Sequence, residues 1–164
     1  KNGIAKAKKK AGRDAKDGVI IPYIHPGSKL GVLVEINCET DFVARTDEFQ
    51  DFSRDIAMHI AATSPLGIKR EDISEDLIEK EKEIYKEQAL QSGKPENIVD
   101  KMTEGRLNKF YQENVLLEQS FVKDPDKVIS DLLSNIISKL GENIEIKRFS
   151  RFQLGELAKP EDNS

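Results

Sequence analysis

The sequence predicts an α+β fold. A small three-stranded antiparallel sheet is covered by helices on one side, and an antiparallel coiled-coil helical hairpin projects from it. Three observations carry this. Two runs of β-formers, Gly18–His25 and Leu30–Cys38, are joined by a connection too short for anything but an antiparallel hairpin. Other segments repeat apolar residues every three or four positions, as amphipathic helices do. Two of these, on either side of Gly93, have narrow apolar stripes and heavily charged outer faces.

In the first strand, Val19, Ile20, Ile21, Tyr23 and Ile24 favour extended backbone, and Pro22 places it at a sheet edge. His25-Pro26-Gly27-Ser28-Lys29 is the turn, with Pro-Gly suited to a type II corner. In the second strand Val32, Val34, Ile36 and Cys38 share one face, alternating with Leu33, Glu35 and Asn37. Glu39–Arg45 is a corner. Thr46 then N-caps a helix whose first turn holds Asp47 and Glu48, where the dipole favours acids. Phe49, Phe52, Ile56 and Ile60 form its stripe, and Ser64-Pro65-Leu66-Gly67 ends it.

A charged helix runs from Ser74 to about Ser92, with Leu77 and Ile78 recurring as Ile84 and Tyr85. Gly93 stops it, and Pro95 starts a second helix that carries Ile98, Val99, Met102, Arg106 and Phe110 inward. So short a joint makes the pair antiparallel. Asn114–Val122 reads as an irregular or short extended link. Asp124 and Pro125 are read as N-cap and first residue of another helix. With Val128, Ile129, Leu132, Leu133, Ile136, Ile137 and Leu140 it is the most apolar helix, hence the expected core helix, capped by Gly141. Asn143–Phe152 is the third strand, and an apolar phase shift near Arg148 suggests a bulge. The organisation read is a basic leader or linker at 1–17, a core at 18–157 with the hairpin 74–112 inserted, and a polar tail at 158–164.

The 164 residues suffice for one domain with a proper core. No run approaches the roughly 20 apolar residues of a membrane span. One cysteine excludes an intramolecular disulfide framework and fits a reducing compartment. Two histidines and that cysteine argue against a protein-only zinc site. A phosphate-cradling G-x-x-x-x-G-K-[ST] loop does not occur. The net charge of −4 conceals an asymmetry: residues 1–16 hold seven basic side chains against Asp14, leaving 19 basic and 29 acidic residues, a net −10, in the rest. So acidic a body does not suit wholesale nucleic-acid binding, although the leader could touch RNA or an acidic partner. The chain opens with Lys rather than Met, so an upstream segment is expected to have been removed.

No residue set points to an enzyme, and no catalytic residue, metal ligand or cofactor is assigned. Cys38 lies on the apolar face of its strand and reads as a buried structural thiol. His59, within Ala57-Met58-His59-Ile60-Ala61, reads as packed or partner-facing, and His25 as a turn residue. The informative stretch is Glu35-Ile36-Asn37-Cys38-Glu39-Thr40-Asp41-Phe42-Val43-Ala44, which delivers Thr40, Asp41, Phe42 and Val43 to a strand–helix corner. Two arrangements of Phe42 are open on the residues alone. It tucks back onto the following helix as a staple, or it stands out as an aromatic wedge with Asp41 beside it as acceptor and orienter.

This decapeptide resembles the signature of the elongation factor Ts family, the guanine nucleotide exchange factors of elongation factor Tu. So do Ala5–Ile20 with its Ala-Gly and Asp-Gly-Val-Ile, Ile56-Ala57-Met58-His59-Ile60-Ala61-Ala62, Gln91-Ser92-Gly93-Lys94-Pro95 at the hairpin tip, Val115–Phe121 and Gly141–Arg148. The resemblance covers nearly the whole chain. It implies that Asp41 and Phe42 insert into the G domain of elongation factor Tu near its magnesium site and displace groups that hold Mg²⁺ and the GDP phosphates. It extends the contact surface, through the Val115–Phe121 segment, to His59, Gln119 and Phe121. It implies binding to GDP-bound and nucleotide-free elongation factor Tu, in a bacterial cytoplasm or an organelle matrix.

Two departures matter. Members of the family begin with a small three-helix, ubiquitin-associated-like domain that is not in this sequence. Longer members carry two related core subdomains, whereas this chain has one hairpin-strand set and resembles the short form. A second copy could restore the other half as a homodimer through the exposed sheet. The rival reading from the residues is an RNA- or ribosome-binding module using Lys6–Lys10.

Overall fold

In the computed structural model, which describes residues 2–156, the two β-forming runs pair as read. Strand β1 (Asp17–Ile24) and strand β2 (Leu30–Cys38) form an antiparallel hairpin from Asp17↔Cys38 to Ile24↔Gly31. Gly27 takes a φ of 101°, the positive value that the third position of a type II turn demands. The third strand of the sheet is β5 (Glu145–Gln153), which follows the short strands β3 (Ser120–Phe121) and β4 (Asp124–Val128) in the chain. It pairs with β2, giving the order β1-β2-β5. The expected bulge is present: Glu35 pairs with Arg148 and Ile36 with Ile146, leaving Lys147 as the extra residue. The tail at 158–164, the core's end at 157 and Lys1 lie outside the described residues.

One face of the sheet is dry. Val32, Val34, Ile36 and Cys38 are buried against helix α3 (Asp47–Thr63), which contributes Phe49, Phe52, Ile56, Ala57 and Ile60. Thr46 caps this helix by accepting from the Phe49 amide. The basic leader folds as helix α1 (Asn2–Lys10). A single turn, α2 (Asp41–Ala44), fills the corner between β2 and α3.

Helices α4 (Glu75–Gln91) and α5 (Glu96–Asn114) form the antiparallel hairpin, flanked by Ser74, Ser92 and Pro95. Its base joins a small separate cluster of Ile73, Ile78 and Val115, packed with Leu77, Leu107, Phe110 and Tyr111. The inward stripe differs in three places from the one read from sequence. Ile84 and Ile98 are exposed, and Arg106 lies outside with its guanidinium 4.4 Å from the centre of the Tyr85 ring. A cation over an aromatic face keeps its charge in water while covering the seam.

Two further expectations are corrected. Asp124-Pro125 does not open a helix: strand β3 (Ser120–Phe121) and strand β4 (Asp124–Val128) form a hairpin around Val122-Lys123. The chain stays extended because the Ile129 amide still donates to the Gln119 carbonyl, 3.0 Å away, and Pro125 sits where a missing N–H is harmless. Helix α6 (Ile129–Leu140) begins only then. Nor is α6 the most buried helix. Ile129 and Ile137 are buried, but Leu132, Leu133, Ile136 and Leu140 are only partly so. α6 lies at the margin of the core with α1 along it, whereas α3 lies across the sheet. Its higher apolar content serves two partial contacts instead of one complete one.

Candidate partner-binding site

The β2–α2 corner is built by caps. The Thr40 hydroxyl accepts from the Val43 amide at 3.3 Å, closing the only turn of α2. Thr46 Oγ1 donates to the Val43 carbonyl at 2.7 Å, and Gln50 Nε2 to the Ala44 carbonyl at 2.8 Å. A four-residue helix cannot hold itself, and these side chains hold it.

The turn sorts its residues by direction. Val43 and Ala44 point into the core, Val43 with 5% exposure. Phe42 points the opposite way and is 81% exposed. The staple arrangement is therefore not the one adopted. Asp41 is partly exposed and pairs with Arg45, one turn on, at 2.7 Å. Such a surface pair contributes at most about 1 kcal/mol and can be exchanged for another donor. Thr40, Asp41 and Phe42 thus form one surface with Arg45, a residue the sequence reading missed although its i,i+4 spacing from Asp41 is visible. Val43 anchors that surface from beneath.

His59, Gln119 and Phe121 come together elsewhere, inside the molecule. All three side chains are buried. The His59 Nδ1 accepts the Val122 amide at 3.3 Å, so its Nε2 carries the proton and donates to Gln119 Oε1 at 2.8 Å. Gln119 Nε2 donates to the Glu113 carbonyl at 2.8 Å, and the Phe121 ring centre lies 5.9 Å from that of His59. Burial lowers the His59 pKa, opposed by the Gln119 bond. In this chain these side chains fasten the β3–β4 hairpin to α3 and offer no surface of their own.

The remaining candidates are placed as follows. Cys38 is buried, and burial raises its pKa to about 11, away from a reactive thiolate. His25 Nδ1 lies 2.9 Å from the Tyr23 hydroxyl beside the exposed turn. In the leader, Lys10 donates to the Gly141 carbonyl at 3.0 Å and Arg13 lies 3.6 Å from Glu39, while Lys6, Lys8 and Lys9 face outward. Among the described residues no three His, Cys, Asp or Glu side chains are grouped to hold a metal ion, and no helix is long and apolar enough to cross a membrane. The outer face of the sheet exposes Ile20, Ile24, Leu33 and Phe152.

Comparison with known proteins adds a second line of observation. The family model described as elongation factor TS matches residues 4–156. The elongation factor Ts of Carboxydothermus hydrogenoformans is 60% identical over 162 residues, covering 98% of this chain and 75% of that protein. That of Geobacter sulfurreducens is 58% identical over 156 residues, covering 95% and 72%. That of Thermosipho melanesiensis is 56% identical over 156 residues, covering 95% and 80%.

Proposed function

The chain belongs to the elongation factor Ts family and is a translation elongation factor; from that premise we propose that it binds elongation factor Tu·GDP and drives GDP release through the Asp41-Phe42 corner. The observation that supports this most is the Phe42 ring, 81% exposed on a corner whose backbone is capped at both ends. An aromatic side chain held out on a braced turn is suited to enter a pocket without first being ordered.

The work is binding linkage and not a chemical step. Factor and nucleotide lower each other's affinity for elongation factor Tu by the same ratio. A release about 10⁴-fold faster requires about 5.5 kcal/mol of differential stabilisation. Burying one phenyl ring supplies about 1.5–3 kcal/mol. Phe42 therefore works as a wedge only while other surfaces hold the factor in place. In this reading Phe42 disturbs the phosphate and Mg²⁺ region of the partner, and Asp41 exchanges Arg45 for a donor there. His59, Gln119 and Phe121 support a second contact by fixing the β3–β4 hairpin. The setting is that of elongation factor Tu itself, a bacterial cytoplasm or an organelle matrix.

The outer sheet face has a proposed occupant too, a second copy of the chain. Its apolar side chains lie on a three-stranded surface with β1 at one edge, which a two-fold axis can match to itself. Sedimentation at micromolar concentration is expected to give a dimer, and Leu33→Glu a monomer of unchanged fold. A monomeric wild-type chain refutes this part alone.

The function is tested by stopped-flow release of fluorescent GDP from elongation factor Tu. The chain is expected to accelerate release in a saturable manner and to bind the nucleotide-free protein more tightly than the GDP form. Unaltered release at saturating chain refutes the reading.

A further inference from the structure

The corner that carries Phe42 is held by a residue about a hundred positions downstream. Glu142 Oε1 accepts the backbone amides of Glu39 and Thr40, each at 3.0 Å. Its Oε2 accepts the Thr40 hydroxyl at 2.6 Å. A single carboxylate thus takes three hydrogen bonds from the two residues that precede Asp41-Phe42. Bonds to an ionised acceptor are the stronger kind. The tie runs in both directions. Glu39 Oε2 accepts the Asn143 amide at 2.7 Å, and Asn143 Nδ2 donates to the Arg13 carbonyl at 2.9 Å. The end of α6, where Gly141 turns the chain with a φ of 77°, and the segment after α1 are both fastened to the corner.

We propose that Glu142 is the positioning residue of the exchange corner, presetting the backbone at Glu39–Thr40 so that Phe42 is aimed before the partner arrives. This rests on the exchange reading given above. The chemistry of the contact selects a carboxylate. Three donors converge on it, two amides and a hydroxyl, so an acceptor-only group with two oxygens satisfies all three. The Thr40 hydroxyl uses its proton on Glu142 and its lone pair on the Val43 amide. Glu142 therefore fixes the orientation of the very cap that closes α2. Without it a one-turn helix depends on a freely rotating hydroxyl. Each residue that must then be ordered during docking subtracts from what insertion of the ring can deliver.

The test compares the wild-type chain with Glu142→Ala, Glu142→Gln, Thr40→Val and Phe42→Ala, reading unfolding, amide hydrogen exchange, and release of fluorescent GDP from elongation factor Tu. In Glu142→Ala the Glu39 and Thr40 amides are expected to exchange about tenfold faster or more, while Val32–Ile36 amides keep their protection. The maximal release rate is expected to fall about 5–20-fold, with the half-saturating concentration moving less than about threefold, because aim is lost and not docking. Glu142→Gln keeps one acceptor oxygen for the two amides and falls between alanine and wild type. Thr40→Val leaves the carboxylate on its two amides but also removes the cap on the Val43 amide, so it is expected to lower the maximal release rate while the Glu39 amide keeps its protection. If Glu142→Ala does not fold, Glu142→Gln decides by the same readouts. A wild-type maximal rate in the Glu142 variants overturns the inference, as do unchanged Glu39 and Thr40 amides or a loss matching the unfolded fraction. A wild-type chain that fails to accelerate release sinks the exchange reading and this inference with it. A wild-type chain that works, with Phe42→Ala impaired and Glu142→Ala unimpaired, sinks this inference alone.

Discussion

His59 Nε2 donates to Gln119 Oε1 across 2.8 Å, joining the most buried helix of the molecule to a hairpin that follows it by sixty residues. Both side chains lie out of contact with water, so neither can exchange the bond for a solvent one. His59→Ala also orphans the Val122 amide and leaves a void beside Phe121. The expected cost is about 2–4 kcal/mol, measured by urea unfolding. A cost under about 1 kcal/mol would mean that the pair is not a structural fastening.

The same pair sets a pH dependence. Burial lowers the folded-state pKa of His59 below its ordinary value of 6.5. The unfolded chain therefore binds a proton at a pH where the folded chain does not. Stability from this group is complete above about pH 6.5 and declines as the pH falls below it. Unfolding free energies of the wild type and of His59→Gln between pH 7.5 and 5 should converge as the pH drops. Parallel curves would show that His59 titrates alike in both states.

Cys38 gives the opposite sign. Its folded pKa of about 11 lies above the thiol's ordinary value of 9.0, so the unfolded thiol ionises first. Its contribution is complete below about pH 9 and is lost as the pH rises towards 11. At pH 8 the folded thiol is ionised to about one part in a thousand. Ellman's reagent should leave the native chain unmodified for hours and react within seconds in denaturant. Prompt reaction of the native chain would contradict its burial.

Core truncations should rank by position and not by apolar content. Ile56 and Ile60 on α3 are completely buried, and alanine at either should cost about 2–5 kcal/mol. Leu133 and Ile136 on α6 are only partly buried and should cost less, about 1–2 kcal/mol. Chemical unfolding of the four variants checks the order; equal losses in both helices would refute it.

This ranking shows what was legible in the sequence. Period-two alternation placed Val32, Val34, Ile36 and Cys38 on one face, because only one register buries them all. Thr46 and Pro26-Gly27 were legible because caps and turns are local chemistry. Asp124-Pro125 was misread because the same dipeptide suits a helix start and an exposed edge, and a distant carbonyl, that of Gln119, decides between them. The order of burial of α3 and α6 was hidden for a like reason: periodicity reports an apolar face, not how much of it a partner covers. At the site, Asp41 and Phe42 stood out as unusual residues at a corner. Glu142 did not, since nothing in its neighbourhood along the chain announces the two amides it serves.

Phe42→Ala should separate folding from exchange. The ring is 81% exposed and packs on little, so its removal should change stability by no more than about 0.5 kcal/mol. GDP release from elongation factor Tu should slow about 10–100-fold, the rate equivalent of about 1.4–2.7 kcal/mol, which is what burying one phenyl ring can supply. Asp41→Ala loses only an exposed pair with Arg45 and should be similarly quiet in stability. Its effect on release should run in the same direction and be smaller, because a polar contact made on docking replaces one already made in the free chain. Urea unfolding and stopped-flow release on the same preparations give both numbers. Wild-type release by a well-folded Phe42→Ala chain would exclude the wedge, even with binding to elongation factor Tu intact, and would move the work of exchange to the surfaces that hold the factor in place.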